Sequence, residues 1–195
     1  MLAWQTTYIS KNLLAHQFLE YVWTVVPAII LLLLAIPSLR ILFLIEDTSA
    51  CLFSVKVTGN QWFWEYENSE FRLQNSEKFR SYMLNPEATL KPELFRLLDC
   101  STRLYLPVNT PVRILVSSND VLHSWTVPAL GVKADACPGR LNELLLAPQR
   151  TGLFFGQCSE ICGLNHRFMP IRVKIVDPSM WLNAYFLYGR LVLWL

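Results

Sequence analysis

Charged residues are sparse in this sequence of 195 residues, and neither sign dominates. They make up 16% of the chain, with 17 Lys and Arg against 15 Asp and Glu, and they form no basic block or acidic tail. Proteins that bind nucleic acids carry clustered basic residues on one face, so no nucleic-acid partner is expected. In contrast, 53% of the residues are hydrophobic, which predicts that part of the chain lies in a membrane.

Histidine is also rare, and the cysteines cannot all pair with one another. The chain has 3 histidines and 5 cysteines, and an odd number excludes complete disulfide pairing within the chain. Cys158 and Cys162 lie close together with His166 soon after, which indicates metal or redox chemistry rather than a disulfide scaffold. The other three cysteines are interpreted as small packing residues: Cys51, Cys100 and Cys137.

One long apolar run follows a mixed N-terminal segment, residues 1–20. Residues 21–45 contain only one charged side chain, Arg40, and as a helix they would rise roughly 37 Å, enough to cross a bilayer. A signal peptide is the main alternative. It fits less well, because the run exceeds the usual apolar core and neither a basic start nor a small-residue cleavage site flanks it. We therefore predict a transmembrane helix over 21–45.

The chain from residue 46 has the pattern of a β-domain. Short segments alternate between apolar and polar residues and are separated by Pro, Gly and Asn, which is typical of a sandwich or barrel. In the last segment, 169–176, alternation predicts that Ile171, Val173 and Ile175 point inward and that Arg172 and Lys174 point outward. The predicted strands are 54–59, 61–67, 103–108, 110–118, 153–157 and 169–176. We expect loops over 68–100, a β-domain over 46–178, and an apolar tail over 179–195. Within this tail, residues 184–195 are expected to form a short helix that lies on a partner or on the membrane.

The residues with distinctive chemistry lie in the run GQCSEICGLNHRFMP, 156–170. Cys158, Cys162, His166 and Met169 place two thiols, an imidazole and a thioether close together, and such soft ligands select copper, zinc or iron–sulfur. Met169 favours electron-transfer copper, in which a weak axial methionine is common. With His123 the same residues could form a Cys2His2 zinc site, and the two cysteines could form a disulfide. An iron–sulfur cluster fits worse, because it would need a Rieske arrangement and leave Met169 unused.

Several of these segments resemble cytochrome c oxidase subunit II. The resemblance covers about residues 20 to 176. It rests on VLHSW (121–125), PGRLNE (138–143) and the 156–170 run, together with the apolar span (22–47) and TGNQWFWEYE (58–67). It implies a cupredoxin-like β-barrel or sandwich, which in this chain follows the one transmembrane α-helix predicted over 21–45. It also implies the function: electron transfer from cytochrome c, through a binuclear copper centre (CuA), to haem–copper subunit I for oxygen reduction coupled to proton pumping.

The family's site residues carry over to matching positions. The resemblance implies that Cys158 and Cys162 bridge two copper ions, that His123 and His166 each bind one of them, and that two weak ligands complete the set. These are the Met169 thioether and the Glu160 backbone carbonyl. It further implies that the Glu160 side chain binds magnesium at the boundary with subunit I.

Two further residues gain roles only through the resemblance. Trp62 would receive the electron from cytochrome c, with Trp64 mainly packing, and Glu20 would lie at the mouth of a proton pathway into subunit I. The expected partners are oxidase subunit I, the other oxidase subunits, cytochrome c and the membrane. The expected location is the mitochondrial inner membrane, with the copper domain facing the intermembrane space and the N-terminus facing the matrix.

The sequence departs from the family pattern in two ways. The family has two transmembrane helices, whereas one is evident here. Cytochrome c is basic and its partner usually carries an acidic patch, whereas residues 46–195 hold 15 Lys and Arg and 14 Asp and Glu, so electrostatic steering is expected to be weak. The candidate acidic docking residues are Glu65, Glu67, Glu70, Asp99 and Asp120.

Other functions fit the sequence less well. A soluble redox enzyme with the same copper domain, such as nitrous oxide reductase, would not need the apolar span. A structural zinc module or a copper-handling assembly factor would not need Met169 or the aromatic stretch at Trp62. A quinol-oxidase subunit II would lack the copper ligands.

Overall fold

A computed structural model of the chain describes residues 15–47, 50–68, 78–84 and 95–188, and the side chains of Asn68 and of 184–188 are left aside. The chain divides into two compact units, Met1–Leu44 and Ile45–Leu195. The first unit contains the described part of a long helix, and the second contains a β-domain.

The first unit contains helix α1, Gln17–Glu46, which begins four residues before the predicted span. Its 30 residues have a window of mean hydropathy 2.7, so it is long and apolar enough to cross a membrane. Pro27 and Pro37 lie inside it. No side chain of this helix is buried within the chain, as expected for a surface that lipid or other subunits cover.

In the part of the chain that the structure describes, the second unit contains ten strands followed by a helix. The strands are β1 Phe53–Asn60, β2 Phe63–Asn68, β3 Phe79–Ser81, β4 Leu104–Pro107, β5 Val112–Ser118, β6 His123–Val127, β7 Val132–Ala136, β8 Asn142–Leu146, β9 Gly152–Gln157 and β10 Pro170–Val176, and the helix is α2 Pro178–Tyr188. Short 3-10 turns occur at Pro128–Leu130 and His166–Phe168.

The strands form two sheets and a hairpin. The larger sheet has the order β3-β2-β1-β5-β8, the smaller one has the order β4-β10-β9, and β6 pairs with β7. Pairs β1–β5 and β4–β10 are parallel, and the other pairs are antiparallel. Together with the resemblance of the site segments, this mainly β architecture confirms the predicted cupredoxin-like fold class.

A single apolar core joins both sheets and the hairpin. In β5 every second side chain is buried, from Val112 to Ser118, which is the alternation expected of a half-buried strand. Trp64, Trp125 and Tyr66 are the largest fully buried side chains. At the far end of the chain, α2 docks by stacking Trp181 on Phe53, with ring centroids 4.9 Å apart.

Three expectations from the sequence need correction. Residues 68–100 were expected to be loops, but Phe79–Ser81 forms an edge strand paired with β2. Arg172 was expected to point outward to solvent. It is only 7% exposed, and its Nη1 atom forms an ion pair with the Asp99 Oδ1 atom at 2.8 Å. The predicted tail helix begins earlier, at Pro178, and residues 189–195 lie outside the described part of the chain.

Candidate metal centre

His123 is the first residue of β6 and is completely buried. Its ring lies against β1 at Gly59, where a Cβ atom would come within 2.8 Å of the His123 Cδ2 atom. Glycine at this position therefore makes room for the imidazole. The ring of Trp64 approaches the imidazole edge-to-face, with centroids 5.9 Å apart.

The other candidate ligands lie in one loop between β9 and β10. Gln157 and Pro170 are paired across the two strands, so the ladder closes the loop at both ends. The next residues inward, Cys158 and Met169, consequently start from neighbouring positions. The Ser159 amide donates to the Ser124 carbonyl at 3.0 Å, which ties the start of the loop to β6 beside His123.

The two thiols lie between the two imidazoles. The Sγ atoms of Cys158 and Cys162 are 3.9 Å apart. The Nδ1 atom of His123 lies 3.9 Å from the Cys158 sulfur, and the Nδ1 atom of His166 lies 3.4 Å from the Cys162 sulfur. The structure thus brings together the four strong ligands that the sequence predicts.

Two weaker donors complete the cluster. The Met169 Sδ atom is 3.5 Å from the Cys162 sulfur, and the Glu160 carbonyl oxygen is 3.3 Å from the Cys158 sulfur. Each thiol therefore has one imidazole and one weak donor beside it. Sulfur, imidazole and thioether together form a soft donor set that fits copper.

The distances place three of the four strong candidate ligands in one group. The ligand atoms of His123, Cys158 and Cys162 all lie within 4.8 Å of one another, and His166 is not part of that group among the residues described. A single tetrahedral zinc, with bonds of about 2.0–2.3 Å, would hold all four ligand atoms in one such group. His166 instead approaches the pair from the Cys162 end.

The electrostatics of the metal-free cluster favour one thiolate over two. Burial raises the pKa of the Cys158 thiol, but hydrogen bonds with His123 and the backbone more than offset it, so the net pKa is lowered. Burial and the neighbouring Cys158 raise the pKa of Cys162 to about 12. Two adjacent negative sulfurs are unfavourable without a cation, so the cluster has the electrostatic character of a cation site.

Asp120 is a site residue that sequence reasoning assigned to another role. It was a candidate docking carboxylate, but its Oδ1 atom lies 2.8 Å from the His123 Nε2 atom and its Oδ2 atom accepts from the Gln61 amide at 2.6 Å. A carboxylate on the outer ring nitrogen fixes the tautomer so that Nδ1 faces the metal position. Its position three residues before a candidate histidine ligand was the only signal in the sequence.

Trp62, the neighbour of Gln61, also contacts the ligand loop. The Trp62 indole N–H and the Gln61 side-chain amide both donate to the Cys162 carbonyl, at 3.2 and 2.9 Å. Gly163 has a φ of +113°, and a Cβ there would lie 3.3 Å from the Trp62 ring, so a glycine suits this contact. Half-buried Trp62 therefore lies directly on the ligand loop, whereas Trp64 is fully buried.

Most of the described candidate docking carboxylates have cationic partners. Glu65 lies 3.2 Å from Arg80, and Lys78 lies 3.4 Å from Glu67 and 3.8 Å from Glu65. Asp99 is only 2% exposed beneath Arg172, so its assignment to a docking surface is wrong. Glu70 lies outside the described residues.

Two predicted site residues remain, Glu20 and Glu160. Glu20 is an exposed residue in the first turn of α1. The Glu160 side chain is half-buried between the two cysteines of the loop. Of the other cysteines, Cys100 is buried, while Cys51 and Cys137 are half-buried, and all five are free thiols.

Comparisons with known proteins agree on one family. A family described as "Cytochrome C oxidase subunit II, periplasmic domain" matches residues 53–176, and its companion, "Cytochrome C oxidase subunit II, transmembrane domain", matches residues 3–41. The two matches together cover most of α1 and all of the described strands.

Curated relatives from insects are about half identical to this chain. Cytochrome c oxidase subunit 2 of Yponomeuta malinellus is 49% identical over 181 residues, covering 91% of this chain and 78% of the relative. The subunit of Drosophila lowei is 51% identical over 177 residues, covering 91% and 76%. The subunit of Schistocerca gregaria is 49% identical over 176 residues, covering 90% and 76%.

Solved structures share the fold of the β-domain. The crystal structure of the periplasmic domain of subunit II of cytochrome oxidase from Bradyrhizobium japonicum superposes with a TM-score of 0.62 and 37% identity, covering 71% of this chain and 94% of that one. A mixed disulfide intermediate between a thioredoxin-like protein and a subunit II domain superposes with a TM-score of 0.59 and 36% identity, covering 71% and 91%.

Proposed function

This chain belongs to the cytochrome c oxidase subunit II family as a membrane-anchored subunit of a haem–copper oxidase, and from that membership we propose how its residues serve the oxidase. The β-domain holds a binuclear copper centre of the CuA type. It takes up electrons from cytochrome c and passes them to haem–copper subunit I, where oxygen is reduced and protons are pumped.

The arrangement of the two histidines about the thiol pair is the observation that carries this proposal. His123 lies beside Cys158, His166 lies beside Cys162, and the two sulfurs are 3.9 Å apart. Two metal positions that share both sulfurs would each receive one imidazole. Met169 and the Glu160 carbonyl add one weak donor to each end.

The protein favours electron transfer by keeping the positions of the metal ligands fixed. When bound, two bridged copper ions supply a one-electron couple whose charge is spread over both metals. His123 is completely buried and bonded to Asp120, and the loop is closed by the Gln157–Pro170 pair. Ligands fixed in this way move little when the charge changes, and their bonding and burial set the reduction potential.

Trp62 is the proposed point of electron uptake. It is half-buried, and its indole N–H donates to the carbonyl of the ligand Cys162 at 3.2 Å. An aromatic ring that is both accessible to a partner and bonded to the ligand loop offers a short path between donor and metal.

The proposed electron donor docks with weak electrostatic steering. Glu65 and Glu67 are already paired with Lys78 and Arg80, which leaves little free negative charge to attract a basic cytochrome. The ligand loop also carries an apolar side chain, Leu164, which is 94% exposed and follows Gly163, the glycine that faces the Trp62 ring. Apolar contact would then supply more of the docking energy than charge does.

Two further roles follow from family membership alone. The Glu160 side chain would bind magnesium together with subunit I, and its place between Cys158 and Cys162 would connect that ion to the copper loop. Glu20 would admit protons to a pathway in subunit I. Replacing Glu20 with Gln and measuring oxidase turnover tests the second role, because an unchanged rate would leave Glu20 an interfacial carboxylate only.

The proposed location is the mitochondrial inner membrane, with the β-domain in the intermembrane space, where cytochrome c is available. Helix α1 supplies the anchor. In intact organelles, protease added outside the inner membrane should digest the β-domain and spare the N-terminal segment. Digestion of the N-terminal segment alone would reverse the proposed orientation.

Electron paramagnetic resonance of the full chain in detergent, loaded with copper, tests the central proposal. We expect two coppers per chain by metal analysis and a signal split by two equivalent copper nuclei. A Cys137→Ala variant is the matched control, since it removes a free thiol outside the cluster and should leave the signal unchanged. A silent sample holding one zinc would overturn the proposal.

A further inference from the structure

Trp64 contacts two of the candidate copper ligands at once. It lies in β2 and is fully buried. Its indole N–H donates to the Met169 carbonyl at 3.3 Å, and the same ring meets the His123 imidazole edge-to-face. A buried indole normally finds a partner for its N–H group, and here the partner is the backbone of a ligand residue.

Cys100 donates a hydrogen bond to the carbonyl of Pro170, the residue that follows Met169. It is buried beside β10, and its thiol lies 3.4 Å from the Pro170 carbonyl oxygen and 3.8 Å from that of Leu98. Burial raises the pKa of Cys100 to about 12, so the group is a neutral S–H donor. Trp64 therefore bonds to the Met169 carbonyl, and Cys100 bonds to the Pro170 carbonyl that follows it.

The backbone at Met169 needs such support because its side chain is flexible. Methionine has three rotatable bonds and adapts to irregular space, so the position of its sulfur depends on where its backbone is fixed. Only one side of this point is secured by the sheet, where Pro170 pairs with Gln157. On the other side the chain enters the His166–Phe168 turn.

We propose that Trp64 and Cys100 are positioning residues that fix the Met169–Pro170 backbone and thereby set how closely the Met169 thioether approaches the metal. The inference rests on the proposed copper function. The reduction potential of an electron-transfer copper site is tuned by its weak axial ligand, and a closer thioether would donate more electron density to the more highly charged, oxidised state. Loosening it raises the reduction potential without removing copper.

A Trp64→Phe variant isolates the indole bond. Phenylalanine keeps an aromatic ring in the core and removes the N–H donor, but it is also a smaller ring, so the control variant must lose the same volume. The matched control is Trp181→Phe, since the Trp181 indole also donates to a backbone carbonyl, that of Tyr105, at 3.2 Å. Trp181 lies in α2, where its ring stacks on Phe53 and its indole bonds to Tyr105.

A second pair of variants tests Cys100 and guards against a Trp64 variant that does not fold. Cys100→Ala removes the S–H donor with little change of shape, and Cys100→Ser replaces it with an O–H donor. If the bond to Pro170 matters, alanine should shift the potential and serine should restore much of it. A role in packing alone would not distinguish the two variants in this way.

The measurement is the reduction potential and the copper hyperfine splitting of the full chain in detergent, with copper content as the check. We expect Trp64→Phe to keep two coppers and shift the reduction equilibrium about tenfold toward the reduced state, which for one electron corresponds to 59 mV. Cys100→Ala should shift it about threefold in the same direction, because a thiol is the weaker donor, and Trp181→Phe should not shift it.

The outcomes separate this inference from the function on which it rests. If the unmodified chain lacks the two-copper signal, the proposed function itself fails. If the unmodified chain has that signal but Trp64→Phe and Cys100→Ala match Trp181→Phe, the proposed function stands and the positioning role of Trp64 and Cys100 is wrong.

Discussion

The two histidines of the candidate copper site are held in different ways. His123 begins a strand, is completely buried, and is bonded through its outer nitrogen to Asp120. His166 lies in a short 3-10 turn, is only half-buried, and has no buried side chain beside it within that turn. One half of the site therefore belongs to the sheet framework, and the other half belongs to the loop.

This difference suggests a division of labour within the site. The sheet half supplies rigidity, because Gly59, Trp64 and Asp120 constrain the His123 ring from several sides. The loop half supplies access, because it carries the accessible side of the cluster and bonds to Trp62.

The largest expected effect comes from a residue shared by both halves. Cys158→Ala removes a sulfur that contacts His123 on the sheet side and Cys162 on the loop side. Because a bridging thiolate serves both metal positions, we expect complete loss of the binuclear signal in paramagnetic resonance. Retention of that signal would show that the two metals do not share this sulfur.

The second prediction concerns a substitution on the sheet side of the site that lowers copper affinity without abolishing copper binding. Asp120→Asn should lower copper affinity about 10- to 100-fold, because loss of a carboxylate behind a histidine ligand typically has an effect of that size. Competition with a copper chelator measures the affinity. Asp135→Asn is the matched control, since it makes the same change of charge at an exposed position of β7. Equal affinities in the two variants would remove Asp120 from the site.

The third prediction concerns access through the loop half. Trp62→Ala should slow electron uptake from reduced cytochrome c about tenfold, equivalent to about 1.4 kcal/mol of barrier, while copper content stays at two. Stopped-flow mixing measures the rate, and Trp62→Phe should recover part of it because an aromatic path remains. Unchanged uptake in the alanine variant would place electron uptake elsewhere.

The fourth prediction compares the two histidines in the metal-free chain. His123→Ala should lower the free energy of unfolding of the β-domain by about 3 kcal/mol, as for other large buried side chains. His166→Ala should lower it by about 0.5 kcal/mol, as for partly exposed positions. Urea unfolding in detergent, followed by tryptophan fluorescence with a chelator present, measures both. Equal losses would contradict the division into framework and loop.

The smallest effect is expected from salt. Since Glu65 and Glu67 are paired with Lys78 and Arg80, a tenfold increase in ionic strength should change the association rate with cytochrome c by less than about threefold. Stopped-flow rates at several salt concentrations provide the test. A steep fall with salt would instead indicate a free acidic surface on this domain.

The strong ligands could be predicted from the sequence because most of them are local. Cys158, Cys162, His166 and Met169 lie in one short loop, and the resemblance to a known family added His123 from an earlier strand. The bond from Asp120 to His123 was missed because a carboxylate near a histidine looks like a surface residue until the fold brings its oxygen to the ring nitrogen. The bond from Cys100 to Pro170 joins residues far apart in sequence and leaves no local pattern.

The fold was predictable wherever alternation was clean. Strands β5 and β10 match the alternating segments closely, whereas β7 and β8 were not predicted, because short mixed segments such as VKADA lack a clear apolar face. Arg172 breaks the rule that polar side chains of a half-buried strand face solvent. It does so because Asp99, from a distant segment, supplies the opposite charge.

The parallel pairing of β4 with β10 has a consequence for the order of events during synthesis. Strand β10 is the last strand of the domain, yet it lies between β4 and β9 and anchors Met169 at its start. The ladder that closes the ligand loop therefore cannot form until residue 176 has left the ribosome. Until then the thiols of Cys158 and Cys162 belong to an unfinished sheet, so the metal is best delivered after translation rather than to the growing chain.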